Sequence, residues 1–217
     1  MSAVPLPEWC AVVFDLDDTL YPERDFVRSG FRAVSAAIER EAGKCAFDRL
    51  IEWFECQHPD PFGKVLKQFQ LLIPKQTLID TYRNHCPDLA LTADVRGLLT
   101  ELKSSGHVLG LLTDGRSRTQ RNKIRALGLE EWIDAIVISE EFGSAKPAER
   151  NYRYFEKCFA GRPCVYVGDN LAKDFVAPNR LGWQTVGVLD RGEHVHPQVV
   201  ANVSADALPQ YWIERLA

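Results

Sequence analysis

A chain of 217 residues, 46% hydrophobic and 26% charged, has the composition of an ordinary soluble globular protein and is long enough for one well-buried core plus a smaller inserted domain. Its net charge of −4 excludes a general nucleic-acid or membrane-surface binder, since both need a basic face, and no apolar stretch reaches the roughly 18 residues of a membrane span. Six scattered cysteines without a C-x-x-C pair read as reduced thiols, and Pro5 and Pro7 stand where a leader would be apolar, so the expected location is the cytoplasm.

The predicted elements begin with Ala11-Val12-Val13-Phe14, a strand-forming run that ends in Asp15, Asp17, Asp18 and Thr19. A strand apolar at every position is buried on both faces, as in a parallel sheet, and ligands bind beyond the carboxyl ends of such strands. Alternation turns Asp15 and Asp17 to one side and Leu16 to the other. Two carboxylates aimed at one point repel unless a cation or a shared proton lies between them, and a divalent metal is the economical answer. The plainer reading makes these acids a solvated turn or a helix cap.

Pro22 marks a turn, after which Phe26, Val27, Phe31, Val34 and Ile38 recur at helical spacing up to about Gly43. Residues 46–54, 62–72 and 76–85 read as three more helices, separated by Pro59-Asp60-Pro61 and by Pro74. Four helices in succession indicate an inserted bundle. From Thr92 the pattern alternates: helix 94–102, strand 108–112, helix 117–127 closed by Gly128, strand 133–138, helix 147–159 begun by Pro147, strand 163–167, helix 171–181, strand 185–189. The tail beyond Gly192, with His194 and His196, reads as a flexible loop and a short last helix; a metal site on the two histidines is the weaker reading. The expected fold class is α/β, a Rossmann-like parallel sheet with helices on both faces (residues 1–20 and 92–217), interrupted by an α-helical domain (residues 21–91).

Polar residues stand at the carboxyl ends of four strands: the aspartates after Phe14, then Thr113-Asp114-Gly115, Ser144-Ala145-Lys146-Pro147, and Gly168-Asp169-Asn170 with Asp174. Singly, Thr113 or Asp169 reads as a cap and Lys146 as a solvated side chain. In this order they resemble the four motifs of the haloacid dehalogenase-like (HAD) hydrolase superfamily, over nearly the whole chain. The helical block then resembles that family's cap domain inserted after the first strand.

The resemblance implies a phosphomonoester hydrolase with Asp15 as the nucleophile that forms an aspartyl-phosphate and Asp17 as general acid and base. It implies Mg²⁺ held by the Asp15 carboxylate, the Asp17 main-chain carbonyl and Asp169, with Asp174 supporting Lys146 or a metal-bound water. Thr113, Asp114, Gly115 and Lys146 would bind the phosphate. Dehalogenases of this superfamily lack an acid two residues after the nucleophile, so Asp17 favours phosphoryl chemistry. Alternatives are a phosphomutase, a phosphonatase using Lys64 or Lys67 of the cap, and a non-catalytic phosphate-binding protein. Asp114 stands where the family often has Asn; it is expected to be a turn residue pointing away, or, if it points inward, to need a cation such as Arg116. Tyr21, Arg24, Arg28 and a Pro61-Phe62-Gly63-Lys64 turn are the candidates for substrate choice. The expected partner is a small phosphorylated metabolite, a sugar phosphate or nucleotide, bound by a monomer or homodimer.

Overall fold

Every residue of strand β1 (Ala11–Phe14) is buried, and its side chains divide between two apolar layers: Val12 and Phe14 enter one, Ala11 and Val13 the other. The structure, a computed structural model, describes residues 4–201 and 203–216; residues 1–3, 202 and 217, which the sequence reading assigns to the core, lie outside the described residues. Within them β1 sits in a six-stranded parallel sheet of order β3-β2-β1-β4-β5-β6, with β2 (Val108–Thr113), β3 (Ala135–Ile138), β4 (Cys164–Gly168), β5 (Gln184–Val188) and β6 (Tyr211–Ile213). Phe14 is level with Leu111 of β2 and Val167 of β4, so the central strands end together and the residues after them collect at one edge.

Between β1 and α5 (Ala93–Ser104) run α1 (Glu23–Ala42), α2 (Phe47–Glu55), α3 (Pro61–Phe69) and α4 (Lys75–Asn84). They bury an apolar cluster of their own that includes Phe31, Ile38, Leu50, Trp53 and Leu78. Helix α1 stops at Gly43, whose φ of 64° lets its N–H reach the Glu39 carbonyl. Helix α3 starts on Asp60, which accepts the Gly63 N–H at 2.9 Å, with Pro61 in the first position. The expected Pro61-Phe62-Gly63-Lys64 turn is therefore a first helical turn.

The later helices are α6 (Ser117–Ala126), α7 (Ser139–Phe142), α8 (Glu149–Cys158) and α9 (Val176–Arg180). Several boundaries differ from the sequence expectation. Helix α3 ends at Phe69 because Gln70 turns left-handed, and Leu72 is fully exposed. Strand β3 starts at Ala135, since the Ile133 N–H belongs to the preceding turn, bonded to Leu129 O. Helix α8 begins two residues beyond Pro147, the Ala148 N–H closing a turn on Ala145 O. The expected helix 171–181 shrinks to α9, because Asp174 Oδ2 takes the N–H groups of Asp169 and Asn170, and Asn170 Oδ1 takes that of Ala172. In place of a last short helix there is a 3₁₀ turn, Ala205–Ala207, and then β6, with Tyr211 level with Val186 of β5. No helix among the described residues is long and apolar enough to cross a membrane.

Candidate active site

The side chains at the shared strand edge are built around Lys146. Its ammonium lies 2.7 Å from Asp15 Oδ1 and 2.7 Å from Asp174 Oδ1, with 0% of its side chain exposed. It also donates to the Tyr166 hydroxyl at 3.2 Å, and that hydroxyl donates to Asp174 Oδ1 at the same distance. Burial alone would strip the lysine of its proton, but Asp15 and Asp174 hold its pKa well above the ordinary value. Asp15 is pushed up to about 8 by burial and by repulsion from Asp174 and Asp169, against the pull of Lys146. Gly168 ends β4 as it must: a Cβ there would sit 2.6 Å from Asp174 Oδ2.

Carboxylate oxygens of Asp15, Asp169 and Asp174 lie within 4.8 Å of one another. Asp169 too is raised, first by burial, with His194 pulling the other way. Three buried carboxylates share one ammonium, and the residual negative charge on hard oxygen donors suits a divalent cation. The donor set fits such an ion.

Asp17 faces different company. Its oxygens lie 2.8 and 2.9 Å from Lys123 Nζ, Gln120 Nε2 donates to Oδ2 at 3.2 Å, and the Tyr21 hydroxyl donates to Oδ1. Burial opposes its charge, yet Lys123 and these hydrogen bonds bring its pKa below the ordinary carboxylate value. Asp15 and Asp17 line one cleft, as their alternation predicts, yet each carboxylate is paired with its own ammonium, Asp15 with Lys146 and Asp17 with Lys123. Alternation carries Leu16 into the layer of Val12 and Phe14, but the strand stops at Phe14 and the Asp17 carboxylate turns to α6.

Thr113 is buried, and its Oγ1 accepts from Gln120 Nε2 at 2.5 Å, which leaves its own hydrogen to donate. Asp114 does not point away. It lines the cleft, accepts the Lys146 main-chain N–H at 3.1 Å and pairs with Lys173 at 3.5 Å, so its cation is Lys173 rather than Arg116, which is exposed. The Gly115 N–H is taken by Ser139 Oγ at 2.9 Å. Asp18 is a cap after all: Oδ1 accepts from the Glu23 N–H at 2.7 Å, and Oδ2 from Val195 N–H at 2.8 Å.

The cleft encloses about 150 Å³, and every residue lining it is polar or ionisable, Glu23, Asn170, Lys173 and His196 among them. The supposed flexible tail is pinned here. Asp190 Oδ1 accepts the N–H groups of Gly192, Glu193 and His194, and Gln198 donates to Asp169 O at 2.6 Å. His194 lies 3.4 Å from Asp169 Oδ2.

Other candidates are not brought to the cleft. Arg24 borders a neighbouring cavity with Asp190, His194 and Pro197, its Nε buried without a hydrogen-bond partner, and Arg28 is exposed. Lys64 lies 4.9 Å over the Trp53 ring, and Lys67 is exposed in the last turn of α3. Phe62 packs edge-on against Phe31. Tyr21 reaches the site through Asp17.

Sequence reasoning missed Lys123, Gln120, Glu23, Lys173 and Tyr166. Gln120 and Lys123 share the buried face of α6 with Ile124, a face that no apolar stripe in the sequence marks. A family model described as haloacid dehalogenase-like hydrolase matches residues 12–188. The chain is 30% identical to glyceraldehyde 3-phosphate phosphatase of Methanopyrus kandleri, covering 94% of this chain and 93% of that protein. It is 31% identical to the enzyme of the same name from Methanocaldococcus jannaschii, over 82% and 84%. Among solved structures, a HAD-hydrolase of Bacillus subtilis bound to magnesium superposes with a TM-score of 0.69 at 20% identity, covering 96% of each chain.

Proposed function

The chain belongs to the haloacid dehalogenase-like hydrolases and is an enzyme of their phosphatase branch; from that premise we propose a Mg²⁺-dependent phosphomonoester hydrolase, acting on small phosphorylated sugars through a phosphoryl group carried by Asp15. The observation that carries this reading is the buried Lys146 ammonium held 2.7 Å from both Asp15 and Asp174, behind a wholly polar cleft that Asp15 and Asp169 line. The names of the two curated relatives support the sugar-phosphate class.

In this scheme an Asp15 carboxylate oxygen attacks phosphorus, and the bond from phosphorus to the alcohol oxygen breaks as Asp17 gives that oxygen a proton. Water then attacks the aspartyl-phosphate and leaves its proton on Asp17, releasing inorganic phosphate and restoring Asp15. Lys146 offsets charge on the phosphoryl oxygens, and the Thr113 hydroxyl donates to one of them. The lowered pKa of Asp17 suits the base half of the cycle; an approaching phosphate dianion opposes that shift and favours the acid half. Asp15 and Asp169, with the Asp17 main-chain carbonyl, would hold Mg²⁺, which when bound screens the approach of one anion to another. Residues 1–20 with 92–217 act as the catalytic core and residues 21–91 as a cap over the cleft, a division supported by the separate apolar cluster of α1 to α4.

Phosphate release from a panel of phosphomonoesters, with Mg²⁺ and with EDTA, tests the reading, with Asp15→Asn as the blank. Magnesium-dependent release concentrated on sugar phosphates is expected. Equal release from the Asp15→Asn chain would sink the covalent scheme.

A further inference from the structure

We propose that Glu23 is a specificity residue that reads the leaving group, selecting phosphomonoesters whose alcohol portion is uncharged and rich in hydroxyl groups over those bearing a carboxylate or a second phosphate. The inference rests on the phosphatase reading and deepens it.

Glu23 is the first residue of α1, fixed through its own N–H by Asp18 Oδ1 at 2.7 Å, and it lines the same cleft as Asp15, Asp17 and Thr113. Its carboxyl is half-buried, and among the described residues no hydrogen bond or ion pair reaches it. Its oxygens face the cleft without a protein partner, so a ligand hydroxyl that enters can take the place of water on them. Burial and the nearby Asp17 push the carboxyl up to about 8, so near neutral pH it can both accept and donate, as a sugar hydroxyl does.

The cations around the cleft are already committed. Lys146 is held by Asp15 and Asp174, Lys123 by Asp17, and Lys173 stands 3.5 Å from Asp114. A second anionic group would therefore meet the Asp17 charge and find no unpaired ammonium or guanidinium among the described residues lining the cleft, while the Glu23 carboxyl offers it a hydrogen but no positive charge. The His196 imidazole is the one ring among the described residues lining the cleft, so a nucleobase or an aryl group finds little apolar surface there.

The test compares glycerol 3-phosphate with phosphoglycolate, one leaving group neutral and hydroxylated, the other a carboxylate. Their kcat/KM ratio is measured with Mg²⁺ for the unaltered chain, Glu23→Gln and Glu23→Lys. The unaltered chain should favour glycerol 3-phosphate, and the ratio should fall about tenfold in Glu23→Lys, mainly through KM, and less in Glu23→Gln. Calorimetric binding of both compounds to chains that also carry Asp15→Asn should give the same order without turnover. An unaltered chain that prefers phosphoglycolate, or one ratio shared by all three chains, overturns the proposal. Release undiminished by Asp15→Asn strikes instead at the phosphatase mechanism and takes the proposal with it.

Discussion

At the carboxyl edge of the sheet, Lys146 lies 2.7 Å from two carboxylates and has 0% of its side chain exposed; on the inserted helices, Arg49 and Glu52 approach to 2.6 Å with side chains 55% and 53% exposed. Distance does not separate the two contacts. Water does. The exposed pair gains little, because solvent screens it and two long side chains must be ordered to make it. The buried group has been moved out of water at a cost that its mutual attraction barely offsets, so stability is a poor reason for it to be there. Charges gathered against that cost at one edge of a sheet point to chemistry.

Substitutions can break this contrast, starting with the largest effect. Lys146→Met leaves Asp15 and Asp174 buried without their cation; roughly 3–5 kcal/mol of stability should be lost in urea unfolding, together with phosphate release. Persistence of both would mean that the edge is solvated like the helices. Asp17→Asn leaves the buried Lys123 without its counter-charge and should cost some stability, and in the folded chain it should lower turnover on alkyl phosphates by about 10²–10⁴-fold, with a smaller loss on an activated aryl phosphate whose leaving group needs no proton. Equal losses on the two substrates would remove its acid role.

On the helical side, Asp60→Ala should cost about 1 kcal/mol, because Asp60 caps α3. Hydrogen bonds from Lys75 and the Gly63 N–H hold the Asp60 carboxyl below its ordinary value. Its contribution is therefore complete above about pH 4 and lost as the pH falls through the lowered value in the folded chain, so unfolding curves of the two chains should converge in acid. Arg49→Ala should change stability by less than about 0.5 kcal/mol, and less still in high salt. A cost near that of Lys146→Met would erase the distinction between the regions.

The edge was legible because an apolar run broken by acids is a local signal. Asp15 and Asp169 follow β1 and β4, Thr113 ends β2 and Lys146 lies beyond β3, and the register that aligns those strands brings them together. Lys123 was hidden because α6, Ser117–Ala126, is polar almost throughout; only folding shows which residues turn inward. Residues 171–175 carry helix-compatible letters, yet Asp174 and Asn170 satisfy the backbone donors first. Strand β6 has three residues and depends on the free edge of β5, a partner distant in the chain that no local pattern announces. Asp114 was misjudged for the same reason: its turn is local, but its partners, the Lys146 N–H and Lys173, are not.

The strand order carries one further consequence, for the timing of synthesis. Strand β1 lies between β2 and β4, and the loop that pins Asp18 and Asp169 comes later still, with Val195 and Gln198. Asp15 thus leaves the ribosome long before Lys146, Asp169, Asp174 or the loop behind them exist. A half-made chain holds Asp15 as an ordinary solvated aspartate, and its buried, lysine-paired setting arrives only with late pairings across long loops, the slow kind to form.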